Sequence, residues 1–132
     1  MQRNKYLEDL GIPLVKIGTN FRDDNDDEQW KKERELYGFD SRETWSLDKI
    51  FVEWLYSHLM MFVKDCDEVI DLDYYKFEFE GREYSQREAI DYILQACKNY
   101  LIWENLEEEE QRVKDLQSAV RLFAEILPAM WW

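Results

Sequence analysis

The chain has few places to turn. Only four glycines and two prolines occur in 132 residues, whereas a sandwich or barrel of many short strands needs turn residues every few positions. A sequence this poor in breakers is expected to be mainly α, and its length suits a single domain over 1–132. We divide that domain into an N-terminal arm, 1–45, with one short helix, and a helical core, 46–132. The chain is 45% hydrophobic and 16% aromatic. That excludes a disordered acidic tail, which cannot bury enough apolar surface to order itself.

Periodicity places a three-helix core at about 46–66, 85–104 and 107–127. The strongest signal is the first. At about 100° per residue, Phe51, Leu55, Leu59 and Phe62 share one side, and Lys49, Glu53, Ser57 and Lys64 form a polar stripe opposite. Ile50, Trp54 and Met61 widen the apolar side beyond half the circumference, and Trp54 and most of the phenylalanines are expected in the core. In the second helix, Ala89, Ile90, Ile93, Leu94, Cys97, Tyr100 and Leu101 fall together. Ser85-Gln86-Arg87-Glu88 before it has capping-box spacing. In the third, Val113, Leu116, Ala119 or Val120, Phe123 and Leu127 form the buried stripe. Glu107 to Glu110 sit where the helix dipole welcomes acid. A short connection makes the last two helices antiparallel neighbours.

The remaining segments are shorter. Residues 12–21 read as extended, 23–28 as an acidic loop, and 29–37 as the arm's short helix, ended by Gly38 in the left-handed conformation. Asp40 to Glu43 again has capping-box spacing. Period-two alternation in Lys76 to Phe79, a Glu80-Gly81 turn and a return through Tyr84 predict a small hairpin at about 74–84. Cys66 and Cys97 lie in helical, apolar surroundings and are expected as buried free thiols.

Charge is the second constraint. Thirty acidic residues against seventeen basic give −13, the wrong sign for direct binding to phosphate backbones and beyond the ~2–8 units that keep a small domain soluble. The densest excess lies in residues 46–84, where ten acids oppose four basic residues. No signal-peptide core follows Met1 to Tyr6. The longest uncharged run, Trp54 to Val63, is about half a membrane span, so no membrane association is expected.

Chemistry-bearing patterns are sparse. His58, the single histidine, projects to within about 40° of the centre of the apolar face and reads as a core histidine making one hydrogen bond. Ser57 beside it points about 100° away, so the two do not form a nucleophile and base. No phosphate-binding glycine loop is present. Asp24, Asp26, Glu28 and Glu35 fit calcium-loop positions, but Gln29 stands where the loop needs glycine and Lys31 lies inside it. Asp73, Glu78, Glu80 and Glu83 around Tyr74, Tyr75 and Phe77 offer carboxylates beside aromatics, as a glycosidase does, although a small helical chain has few places for the cleft. We therefore assign no catalytic residue, no metal and no cofactor. Trp131 and Trp132 belong to the residue types that anchor interfaces. They either fold back on the bundle or meet a partner.

Gly38-Phe39-Asp40-Ser41-Arg42-Glu43-Thr44-Trp45-Ser46-Leu47-Asp48 resembles a G-F-D-x-x-E-T-W-x-L-D signature of small bacteriophage and mobile-element proteins. The resemblance carries no catalytic residue; it implies a phage-like gene acting in the cytoplasm of a bacterial host. Together with the charge, it leads us to expect an acidic, non-enzymatic binding protein. It would engage the basic surface of a host nucleic-acid-binding or defence protein, as an inhibitor or a mimic of nucleic acid. The surface expected to do so comprises Asp65, Asp67, Glu68, Asp71, Asp73, Glu78, Glu80, Glu83, Trp131 and Trp132. The alternative is a structural or assembly module, a phage accessory protein that binds further copies of itself.

Overall fold

A computed structural model describes residues 4–11, 26–102 and 108–131. The chain is mainly α with one small hairpin. It comprises α1 (Lys5–Asp9), α2 (Asp26–Tyr37), a 3₁₀ turn (Ser41–Thr44), α3 (Leu47–Cys66), β1 (Lys76–Phe79), β2 (Arg82–Ser85), α4 (Gln86–Leu101), α5 (Glu109–Ile126) and a final 3₁₀ turn (Leu127–Ala129). None of the described helices is long and apolar enough to cross a membrane. The chain divides into two compact units, Met1–Phe51 and Val52–Trp132, with the boundary inside α3.

Among the described residues of the first unit, the arm holds two α-helices rather than one. The added α1 starts at Asn4, whose side chain accepts the backbone N–H groups of Tyr6 and Leu7. The extended reading of residues 12–21 lies outside the described residues. Asp26, Asp27 and Glu28 open α2 instead of belonging to a loop, because acids in a first turn complement the dipole. Gly38, at φ +82°, closes α2 by donating to the Arg34 carbonyl at 2.9 Å.

The polar centre of this unit is Asp40, 4% exposed. Its carboxylate accepts Arg34 Nη1 at 2.7 Å, Arg42 Nη2 at 2.8 Å, Arg42 Nε at 2.9 Å and the Arg42 backbone N–H at 3.0 Å. The Arg42 guanidinium lies 4.4 Å from the ring centre of buried Trp30, and Trp45 meets Trp30 edge-on at 6.1 Å. Asp40 therefore caps the 3₁₀ turn. The Ser41 backbone N–H and hydroxyl go to the Glu33 carboxylate, at 2.9 and 3.1 Å.

The phase of α3 differs from the periodic reading. Val52, Leu55, Tyr56 and Leu59 are buried, but so are Glu53 and Ser57 of the expected polar stripe. Trp54, at 49% exposure, and Met61, at 51%, face outward, and Phe51 is also exposed. With apolar residues over more than half the circumference, the pattern cannot fix which side is inward. Ser57 solves its burial locally, donating to the Glu53 carbonyl at 2.7 Å. His58 is exposed rather than in the core. It stacks on Trp54 at 4.2 Å, and its Nδ1–H donates to the Trp54 carbonyl at 2.7 Å.

The closest helix pair of the second unit is α4 with α5. Arg112 near the start of α5 reaches the Asn99 carbonyl near the end of α4, and Tyr92 meets Ser118, so the two run antiparallel. Ala89, Ile90, Ile93 and Cys97 of α4 are buried as its sequence pattern predicts, Ala96 joins them, and the expected Leu94, Tyr100 and Leu101 are half-buried. In α5 the inward stripe is Ala119, Leu122 and Ile126, one position before the expected Phe123 and Leu127. Leu127 leaves the α-helix for the 3₁₀ turn that carries Pro128. Cys66 and Cys97 are buried free thiols, and burial pushes the Cys97 thiol up to about 12. In the hairpin Lys76 pairs with Ser85, Phe77 with Tyr84, Glu78 with Glu83 and Phe79 with Arg82. Glu80 and Gly81 take φ of +50° and +77°, as both central residues of a two-residue type I′ turn must.

Candidate functional site

The segment between α3 and the hairpin contains Asp67, Glu68, Asp71 and Asp73 of the expected contact residues, and it is held in place rather than loose. Leu72 is fully buried. The Leu72 carbonyl accepts the Arg87 backbone N–H at 3.0 Å, and the Tyr75 carbonyl accepts that of Gln86 at 3.2 Å. These bonds satisfy first-turn donors of α4 that no intrahelical carbonyl can reach. The capping box works beside them. Ser85 Oγ accepts the Glu88 N–H and the Glu88 carboxylate accepts the Ser85 N–H, each at 3.1 Å; the Ser85 backbone bond holds the Glu88 carboxyl below its ordinary value. The Arg87 guanidinium then grips Asp67 and, at 3.2 Å through Nε, Asp73, and these carboxylates raise its own pKa.

The eight expected acids are all exposed, but they divide into two groups. Asp67 and Asp73 share the single charge of Arg87, and Glu80 pairs with Arg121 at 3.0 Å. Asp65, Glu68, Asp71, Glu78 and Glu83 have no ion-pair partner among the described residues. Glu78 and Glu83 sit directly opposite each other across the hairpin, an arrangement that weakens a strand pair.

Beside this loop lies a cleft of about 390 Å³. Ile70, Asp71, Tyr74 and Tyr75 line it from the loop, Gln86 from the first turn of α4, and Ala129 and Trp131 from the C-terminal turn. Tyr74 and Tyr75 stand edge to face at 5.3 Å. Trp131 lines the cleft while remaining 76% exposed, whereas Trp132 lies outside the described residues. Gln86 is 0% exposed, and neither its Oε1 nor its Nε2 has a hydrogen-bond partner among the described residues. A buried amide left unmatched is costly. One Asp71 oxygen accepts the Asp73 backbone N–H at 2.9 Å; its other oxygen has no partner among the described residues.

The glycosidase-like grouping does not come together. Asp73 turns to Arg87, Glu80 to Arg121, and Glu78 and Glu83 face one another on the hairpin. Among the described residues, Asp71 is the acid that lines the cleft. The calcium-loop test falls partly outside the described residues at Asp24, and its later positions are helical. Among the described residues, no group of three His, Cys, Asp or Glu side chains could hold a metal ion.

Sequence reasoning missed Gln86, treating it only as a spacer in the capping box. The signal available was positional: side chains in a helix's first turn lean back over the preceding segment, here a loop carrying two tyrosines and an aspartate. The chain matches no protein-family model, no curated protein and no solved structure.

Proposed function

We propose that this protein is a non-enzymatic binding protein whose acidic surface engages a basic protein partner, consistent with a phage-like gene product directed at a host nucleic-acid-binding or defence protein. The observation that carries this reading is the pair Glu78 and Glu83, opposed in register with no ion-pair partner for either among the described residues. Directly opposed like charges cost a hairpin roughly 0.2–1 kcal/mol, and a basic surface laid on the hairpin would turn that cost into attraction. Asp65, Glu68 and Asp71 extend the same unneutralised field. The test is capture from bacterial lysate by the wild-type chain and by a variant carrying Asp65→Asn, Glu68→Gln, Glu78→Gln and Glu83→Gln, at low and high salt. A basic protein that is lost at high salt, lost with the variant and competed by DNA is the expected result. Equal capture by both chains, insensitive to salt, defeats the reading.

A second reading, an assembly module, draws support from the outward faces of Trp54, Met61 and Trp131. Sedimentation of the full chain against one lacking Met130 to Trp132 separates the two; identical monomers oppose assembly through this tail.

A further inference from the structure

We propose that the Gln86 cleft is a peptide-binding site that takes an extended segment of the partner, with an arginine or lysine side chain seated between the aromatic rings and Asp71. The proposal rests on the reading above and names the chemistry its partner must present.

Three features converge on that ligand. The Gln86 amide offers an NH₂ to donate and a carbonyl oxygen to accept, a match to the C=O and N–H of a peptide group, and no group of the described chain uses either. Tyr74, Tyr75 and Trp131 supply electron-rich ring faces to a cation. The unpaired Asp71 oxygen supplies its counter-charge.

The chain already builds this arrangement elsewhere with its own arginine. Arg42 lies over the Trp30 ring at 4.4 Å while bonding the Asp40 carboxylate at 2.8 and 2.9 Å. The cleft repeats the aromatic face and the carboxylate, but none of its lining residues is basic. An incoming basic side chain completes the set. An aliphatic or acidic one leaves Asp71 uncompensated.

The experiment is a titration of the ¹⁵N-labelled full chain with the peptide acetyl-Ala-Ala-Arg-Ala-Ala-amide and with its neutral citrulline counterpart. The assigned Trp131 indole and Gln86 side-chain amide resonances are the readout. Both are expected to shift with the arginine peptide. Affinity is expected to fall about tenfold or more with citrulline, with Gln86→Met and with Trp131→Ala. Trp131 is surface-exposed, so its variant tests the site even where the Gln86 substitution disturbs folding. Equal binding of the two peptides, or shifts confined to other residues, would falsify the proposal. If the four-acid variant loses the basic partner while Gln86→Met and Trp131→Ala still bind the arginine peptide like wild type, the cleft fails and the charge reading stands. If the peptide binds as expected but no basic protein is captured, the cleft stands and that reading fails.

Discussion

Replacing Asp40 by Asn removes a charge from a side chain that accepts four hydrogen bonds in the first unit. The wild-type carboxylate accepts two bonds from the Arg42 guanidinium, one from the Arg42 backbone and one from Arg34. Charge-assisted bonds contribute roughly 1.5–3 kcal/mol net. The Arg34 contribution belongs at the low end of ion pairs, since that side chain is about half exposed. The Asn amide also turns a donor toward guanidinium donors. We expect a loss of about 2–3 kcal/mol for this unit, read from urea unfolding followed by the near-ultraviolet signal of Trp30 and Trp45 and by hydrogen exchange in α2. The pH dependence gives an independent check. The arginines hold the Asp40 carboxyl far below its ordinary 3.8. Its stabilising contribution is complete above that value and declines as pH falls through 3.8 toward the depressed folded-state value, because the unfolded chain takes up the proton first. Wild type and variant should therefore converge in acid. A difference under about 0.5 kcal/mol at neutral pH, in the range of ordinary surface changes, would refute the reasoning. So would a gap unchanged from pH 7 to pH 2.

Other substitutions test other links. Glu80→Asn should raise stability by about 0.5–1 kcal/mol in thermal melts, because Asn tolerates positive φ better and the half-exposed pair with Arg121 that it gives up is worth little. Ser85→Ala removes the hydroxyl half of the capping box, leaves the backbone N–H of residue 85 to the Glu88 carboxylate, and should cost about 1 kcal/mol in the same assay. Cys97, with its thiol pushed up to about 12 by burial, should resist alkylation at pH 8 until denaturant opens the chain; rapid labelling of the native protein would contradict its placement.

What the sequence disclosed depended on the kind of signal. The Ser85 and Glu88 cap and the Glu80-Gly81 turn rest on local stereochemistry, and both form as their residues dictate. The α4 face was legible because its apolar residues occupy a narrow stripe. The α3 face was not, because Trp54, Met61 and Phe51 enlarge the apolar arc until two inward orientations are equally hydrophobic, and tertiary packing chose the one that buries Glu53 and Ser57. In α5 Leu122 and Ile126 stand directly beside Phe123 and Leu127 in sequence, so the pattern offered two neighbouring stripes, and the buried one is Ala119, Leu122 and Ile126. At the candidate site the acids were readable as charge, but not their partition. That Arg87 takes Asp67 and Asp73 while Asp71 goes without depends on where α4 brings its first turn, which no local pattern encodes. Gln86 was invisible for the same reason, since its significance comes from being buried without a partner.

The hairpin has a consequence for colloidal behaviour. In a sheet of two strands each strand is an edge, and an edge is a template for pairing with another chain. Lys76, Glu78, Arg82 and Glu83 place charge along both strands, and the opposed glutamates repel a second hairpin approaching in the same register. The protection lasts only while that charge is uncompensated. Near the isoelectric point of about 4.5, or under a polycation that neutralises the glutamates without covering the backbone, these edges become the first surfaces to associate. Precipitation should then begin at the hairpin, while the helices remain folded.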